Sequence, residues 1–300
     1  MYTRFTITNL KTYIYLIKEV IFVTLYSAAV YVLYEYYGHH HITLSFSISA
    51  VMGTAIAILL GFRTSAAYER WWEARKIWGG IVNDSRTLIR QAYGFFISNE
   101  HKEQDILKLA KYQIAFNYAL STSLRKLPLS DDVKKNLSDT DYLIVKKQLN
   151  APNAILKIME DHLASIFEQS KINAYHFGIM DQTLKNICDH MGKCERIKNT
   201  VFPVHYGFFI RLSIIIFAML LPLEIVEFLG ILTIPVTFVT IIFISVIESI
   251  AIYLQDPFEN RAADIGTTTI CRTIEINLLQ MTDEKNVPKI IPPDRKGIVW

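Results

Sequence analysis

Few residues of this 300-residue chain combine a type and a spacing that invite chemistry. Cys188, Asp189 and His190 with Cys194 bring thiol, carboxylate and imidazole into one short stretch, and Cys and His are zinc ligands. Their spacing matches none of the usual zinc signatures, so a helix interior or surface is the plainer reading and no metal site is assigned. His39, His40 and His41 follow one another in a short segment. Imidazole titrates near neutral pH and could carry a proton or a metal, but adjacent histidines have no special ligand geometry, and a solvent loop accounts for them. No Gly-x-Ser-x-Gly elbow, His-Glu-x-x-His pair, phosphate-cradling glycine loop or dinucleotide fingerprint occurs. The chain therefore does not read as an enzyme and calls for no cofactor. What remains is charge set into apolar sequence. Arg211 lies inside one apolar run and Glu248 near the end of another. Ionisable groups at membrane depth snorkel to the surface or pair within the protein, and depth makes these two candidate partners.

The elements that must carry those charges are long and apolar. Thr43 to Phe62 contains no charged residue, about the length that crosses a hydrocarbon core of ~30 Å. Charges begin at Arg63, and no proline interrupts the sequence to Leu88, where good helix formers dominate. One helix is expected to leave the bilayer and continue into water. Within it Gly53, Ala57 and Gly61 recur every fourth residue, a small face that lets helix backbones approach closely. Thr54, Ile58 and Phe62 form the adjacent stripe. If the small face packs against copies of itself, the neighbouring stripe lines a narrow axial hole; from spacing alone, ordinary interior packing of a helical bundle is the plainer reading of both stripes.

Spans are expected at about residues 20–37, 43–62, 204–223 and 228–250, with Pro235 inside the last. The helical body then comprises about residues 63–200 and 256–300. Ile106, Leu109, Ala110, Gln113, Ile114 and Asn117 recur at helical spacing there. Ser130-Asp131 and Ser138-Asp139 read as helix starts, Pro152 and Gly178 as breaks between helices. The chain turns at Asp256-Pro257-Phe258, an amphipathic helix is marked by Ile270, Ile274 and Leu278, and residues 287–300 read as an extended tail. Trp71, Trp72 and Trp78 are expected at the bilayer boundary, buried against the third and fourth spans. Glu73 with Arg70, Arg75 and Lys76 reads as a solvated or intersubunit charge network.

Composition agrees with a membrane protein that has a substantial soluble part: 51% hydrophobic residues, mean hydropathy +0.25, and still 20% charged. A net charge of +3 with no recognition motif gives no argument for nucleic acid. None of the 31 Lys and Arg lies in the short loops expected at Gly38 to Ile42 and Glu224 to Glu227. The positive-inside bias therefore places both termini and the body in the cytosol. The N-terminus is basic but lacks a compact apolar core followed by a small-residue cleavage site, so no removable signal peptide is read. The three cysteines read as free thiols.

The stretch Gly61-Phe62-Arg63-Thr64-Ser65-Ala66-Ala67-Tyr68-Glu69-Arg70-Trp71-Trp72-Glu73-Ala74-Arg75 resembles the bestrophin signature, and Asp256-Pro257-Phe258 resembles that family's turn after its last span. The resemblance extends over the whole chain and implies an all-α fold: a four-span helical membrane protein with a helical cytosolic body, homopentameric around one axial pore. It implies a passive channel for small inorganic ions, chloride by family name, in the bacterial inner membrane, with the bilayer and further copies of the chain as partners. A monovalent cation channel of the same architecture and a non-conducting membrane scaffold stay open as alternatives. The family's hydrophobic neck carries over to Thr54, Ile58 and Phe62, its outer position here a threonine, with Gly53, Ala57 and Gly61 packing around the pore. Its cytosolic aperture carries over to Phe202, with Val201 beside it. Arg70, Trp71, Trp72, Asp256, Pro257 and Phe258 are signature positions. Eukaryotic relatives follow their turn with an acidic run that clasps calcium. Glu259 to Asp264 offers too few close carboxylates for a cation that takes six to eight oxygens, so no calcium gating is expected.

Overall fold

The computed structural model describes residues 10–38, 43–97, 100–200, 202–294 and 298. Its regular elements are helices: α1 (Leu10–Glu35), α2 (Phe46–Phe95), α3 (Lys102–Leu124), α4 (Asp131–Lys135), α5 (Asp139–Lys147), α6 (Ala151–Glu168), α7 (Ala174–Asn199), α8 (Val204–Leu229), a 3-10 turn (Gly230–Leu232), α9 (Thr233–Leu254) and α10 (Thr267–Met281). They form two compact units. One holds α1, α2 as far as Arg70, α8 and α9; the other holds the rest of α2, α3 to α7 and α10.

In the first unit α1 packs on α8 and α9, and α8 packs on α9. Ile56 and Leu60 of α2 join Ile210, Ile214, Phe217 and Leu221 of α8 in its core. Two stretches, Ser47–Phe95 and Val204–Leu254, are long and apolar enough to cross a membrane, and only 22% of the apolar window in each is buried within the chain. Core helices of a water-soluble domain bury their apolar residues, so this outward surface needs a cover of lipid or of other chains. Gly230, at φ +51°, ends α8 in the left-handed region that glycine tolerates. Pro235 falls in the first turn of α9, where its missing N–H removes no helical bond. The loop expected at Glu224 to Glu227 is instead the last helical turn of α8, because Glu224 is wholly buried and held by α2.

The second unit is built around α3, which is buried on every side from Tyr112 to Ser121, as a central helix must be. α6, α7 and α10 pack against it. Its two buried amides each donate one hydrogen bond: Gln113 to Ser85 Oγ at 2.8 Å, and Asn117 to the Gln113 carbonyl at 2.8 Å. Ser138 caps α5 by accepting from the Asp141 N–H, Asn150 caps α6 with Pro152 in its first turn, and Asn173 caps α7. Ser130 stands at the start of α4. Gly178 does not break a helix but lies inside α7, where the Asn173 cap sets the start and one glycine costs only about 1 kcal/mol. Ile274 and Leu278 of α10 are buried as its amphipathic pattern requires.

Candidate functional site

The candidate site lies on the part of α2 that belongs to the first unit. Helical spacing turns Ile56, Leu60, Arg63 and Ala67 inward, all nine-tenths buried or more. Thr54, Ile58 and Phe62 fall outside that face, and within one chain Ile58 is 55% and Phe62 69% exposed. Apolar side chains of this size are left uncovered, in line, along one helix. The Thr54 hydroxyl donates back to the Ala50 carbonyl at 2.8 Å. Its polarity is thereby spent within the helix.

The small-residue stripe has two neighbours. A Cβ on Gly53 would come 3.4 Å from Phe217 of the same chain, so this glycine serves the packing of α2 on α8. Gly53, Ala57 and Gly61 also line an apolar groove of about 560 Å³ shared with Tyr68 and with Phe243, Ile244 and Ile247 of α9.

Both ends of this segment are held by charge. At its start, Glu224 of α8 is fully buried and both carboxylate oxygens lie 3.0 Å from the Ser49 N–H. The first N–H groups of a helix have no partner of their own and carry the positive end of its dipole, so a carboxylate there is favourable. At its other end, Arg63 is 5% exposed. Its Nη1 lies 3.5 Å from Oε1 of Glu248, which is equally buried. Glu248 Oε2 in turn takes Arg211 Nη1 at 2.5 Å, and Arg211 Nη2 pairs with Glu19 of α1. The pairing of Arg211 with Glu248 read from depth is therefore present, while Arg63 and Glu19 were not linked to it by sequence. The Arg63 guanidinium also stands 5.8 Å from the centre of the Phe202 ring. Tyr206 donates to the Leu59 carbonyl at 3.1 Å.

Phe202 is thus placed at the Arg63 end of the apolar segment. Its half-buried ring lies 6.2 Å from that of Tyr206, centre to centre, and beneath the Arg63 guanidinium. Val201 lies outside the described residues, as do His39, His40 and His41.

The signature residues of the helical body serve its core. Trp71 donates through its indole N–H to the Ala263 carbonyl at 3.1 Å, Trp78 is wholly buried, and Phe258 is 1% exposed. The tryptophans were expected against the third and fourth spans. Trp78 instead sits in the core of the second unit, since α2 by then belongs to it, and Trp72 is 46% exposed. Pro257 is buried, and its carbonyl accepts from Ile265 N–H at 3.3 Å, closing the turn. Asp256 and Arg70 are half-buried. Glu73 pairs with Arg196 at 2.7 Å. Beyond the turn, Glu259 pairs with Lys198 at 2.7 Å, a bond that holds its carboxyl below the usual range. Asp264 accepts from the Arg261 N–H at 3.0 Å, and burial pushes its carboxyl up. Both carboxylates are engaged by their own chain. Near Cys188, His190 bonds Asp84 at 3.1 Å, and burial pushes the Cys194 thiol up to about 12. Among the described residues no group of three His, Cys, Asp or Glu could hold a metal ion.

Comparison with known proteins fits this architecture. The family described as Bacterial/Fungal Bestrophin protein matches residues 2–280. The voltage-dependent anion channel-forming protein YneE of Escherichia coli K12 is 33% identical over 90% of this chain and 88% of its own length. The voltage-dependent anion channel-forming protein alr2987 of Nostoc sp. is 29% identical over 78% and 76%. The crystal structure of a bacterial bestrophin homolog from Klebsiella pneumoniae superposes with a TM-score of 0.84 at 30% identity, covering 90% of this chain and all of that one.

Proposed function

The chain belongs to the bacterial and fungal bestrophin family, and from that premise we propose that it forms an anion channel in a bacterial membrane. The observation that carries the proposal is the line of Thr54, Ile58 and Phe62 on α2, uncovered within one chain beside a groove edged by Ala57 and Gly61. Five copies around one axis would cover the groove and turn the line inward. α1, the first part of α2, α8 and α9 would then be the four spans, with the body and both termini in the cytosol of an inner-membrane protein. Ions are the only substrate, copies of the chain and the bilayer the only partners. The Ile58 and Phe62 rings would form the neck and control flux by resisting wetting. Thr54 fits an apolar lining because its hydroxyl is bonded within the helix. A second, cytosolic constriction is proposed at Phe202, whose ring stands 5.8 Å from the Arg63 guanidinium, with Val201 beside it.

The test is reconstitution into liposomes under opposed chloride and potassium gradients. A reversal potential near the chloride equilibrium value supports the reading, and one near the potassium value, or no conductance at all, overturns it. Native mass measurement should give five chains. Ile58→Ala and Phe62→Ala should raise conductance without loss of folded protein.

A further inference from the structure

Arg63 sits one residue beyond Phe62, and the space it fills has been made for it. A Cβ on Gly207 of α8 would come 3.4 Å from Arg63 Nη2 and 3.8 Å from its Cζ. The guanidinium therefore lies against bare backbone on one side, with the Phe202 ring 5.8 Å away on another and Glu248 at 3.5 Å on a third. Side chains of Arg63 and Glu248 are 6% and 4% exposed. Glu248 is shared with Arg211, and Arg211 with Glu19. The chain Arg63, Glu248, Arg211, Glu19 thus crosses α2, α9, α8 and α1 in turn, two cations and two anions with no surplus charge. Such a relay attracts no ion by its net charge. Its effect is geometric: a buried guanidinium needs a counter-charge, and Arg63 meets it in Glu248 through Nη1 at 3.5 Å.

We propose that Arg63 is a positioning residue for conduction, which through Glu248 fixes the rotation of the α2 end that presents Phe62 and so sets the bore of the neck. This rests on the reading of Ile58 and Phe62 as the neck. A helix turns 100° per residue, so a guanidinium anchored inward at position 63 holds position 62 about a quarter turn away from the anchor. Release of the anchor lets the Phe62 ring rotate and changes how large an anion passes. Gly207 is the second half of the device: a Cβ there would meet the guanidinium at ordinary contact distance, and a side chain as large as valine would contend with it for the same volume.

The experiment compares thiocyanate with chloride permeability in liposomes for the wild type, Phe62→Ala, Arg63→Lys, Gly207→Val and the paired variant Arg63→Gln with Glu248→Gln, alongside native mass and melting in detergent. The paired variant replaces both buried charges with neutral amides and so leaves no orphan ion, which keeps the protein folded and testable. Arg63→Lys and the paired variant should shift the permeability ratio by about threefold or more while five-chain mass is kept, because selectivity in an apolar constriction follows its bore. Gly207→Val should shift it in the same direction with every charge intact. If Phe62→Ala shifts the ratio and none of these three does, Arg63 does not position the neck. If Phe62→Ala itself leaves the ratio unchanged, the neck reading falls first. A relay that served only to hold the fold would lower melting temperatures in all three and leave the ratio alone.

Discussion

Glu224 offers the sharpest quantitative test of how α2 is held. Glu224→Ala removes a fully buried carboxylate whose two oxygens both lie 3.0 Å from the Ser49 N–H, and Ser49 is itself 3% exposed. A hydrogen bond to a charged group contributes about 1.5–3 kcal/mol. An anion at a partly buried helix start adds up to ~2 kcal/mol. Relief of the carboxylate's own burial offsets part of this, since a charge taken out of water is costly. The net expected loss is roughly 2–3 kcal/mol for alanine, and about 1 kcal/mol for Glu224→Gln, which keeps an acceptor and loses the charge. At ~2–4 °C per kcal/mol for a chain of this order of size, alanine should lower the apparent melting temperature in detergent by roughly 5–10 °C and glutamine by a few degrees. Glu227, one turn away and exposed, supplies the control: Glu227→Ala should stay within about 0.5 kcal/mol of wild type. If Glu224→Ala and Glu227→Ala melt together, the carboxylate does not cap α2 and the reasoning fails.

Three further outcomes concern the helical body. His162 is buried, its Nε2 bonded to the Asp105 carbonyl at 3.1 Å, and burial lowers its pKa. The unfolded chain then binds a proton more readily than the native one, so the stability is fully present above the ordinary histidine value of about 6.5 and is lost as pH falls through the lower native pKa; melting followed from pH 7.5 to 5 should show this decline, and His162→Phe should flatten it. A Cβ at Gly80 would stand 2.6 Å from two atoms of the His190 ring. Gly80→Ala should therefore destabilise by about 1–2 kcal/mol despite its better helix propensity, and adding His190→Ala should restore most of the loss. Cys188 is exposed whereas Cys194 and Cys271 are buried with their thiols pushed up by burial. A thiol-reactive probe should label one position in the native protein and three after denaturation, and mass mapping identifies the site.

What the sequence shows and what it hides follow from range. Patterns that act within a few residues are legible: the uninterrupted run from Arg63 to Leu88 that keeps α2 helical, the Ser138 cap, the stop before Pro257, the amphipathic face of α10. Depth alone also paired Arg211 with Glu248, because two charges in apolar runs at one level have few other partners. Glu224 was out of reach, since its partner Ser49 lies 175 residues away and a glutamate flanked by apolar sequence looks the same in a loop as in a buried turn. The tryptophans were misplaced for a related reason. Their types suit an interface, but whether α2 at position 78 still faces lipid depends on where the second unit begins, which no local pattern records. Gly178 shows that a glycine is a weak stop when a strong cap lies upstream.

The burial pattern of α2 bears on why an apolar stripe can serve as a working surface at all. Exposed Ile58 and Phe62 side chains have no intrachain packing to fix them, so their positions depend on the backbone beneath. That backbone is held from the opposite face by Ile56 and Leu60 in the core, from one end by Glu224 on the Ser49 N–H, and from the other by Arg63 on Glu248. α8 supplies the first of these charges and α9 the second, so the segment is pinned at both ends by side chains more than 150 residues further along the chain than their partners. Hydrophobic packing alone tolerates small sliding, because one apolar contact replaces another at little cost. Buried charges do not, since moving them leaves an ion or an N–H unpaired in a medium that cannot solvate it. The buried charges thus stand at the two ends of the segment, where they fix register, and the outer face carries Ile58, Phe62 and a Thr54 whose hydroxyl is bonded within the helix, a surface on which, under the proposed reading, an ion would have to give up its water.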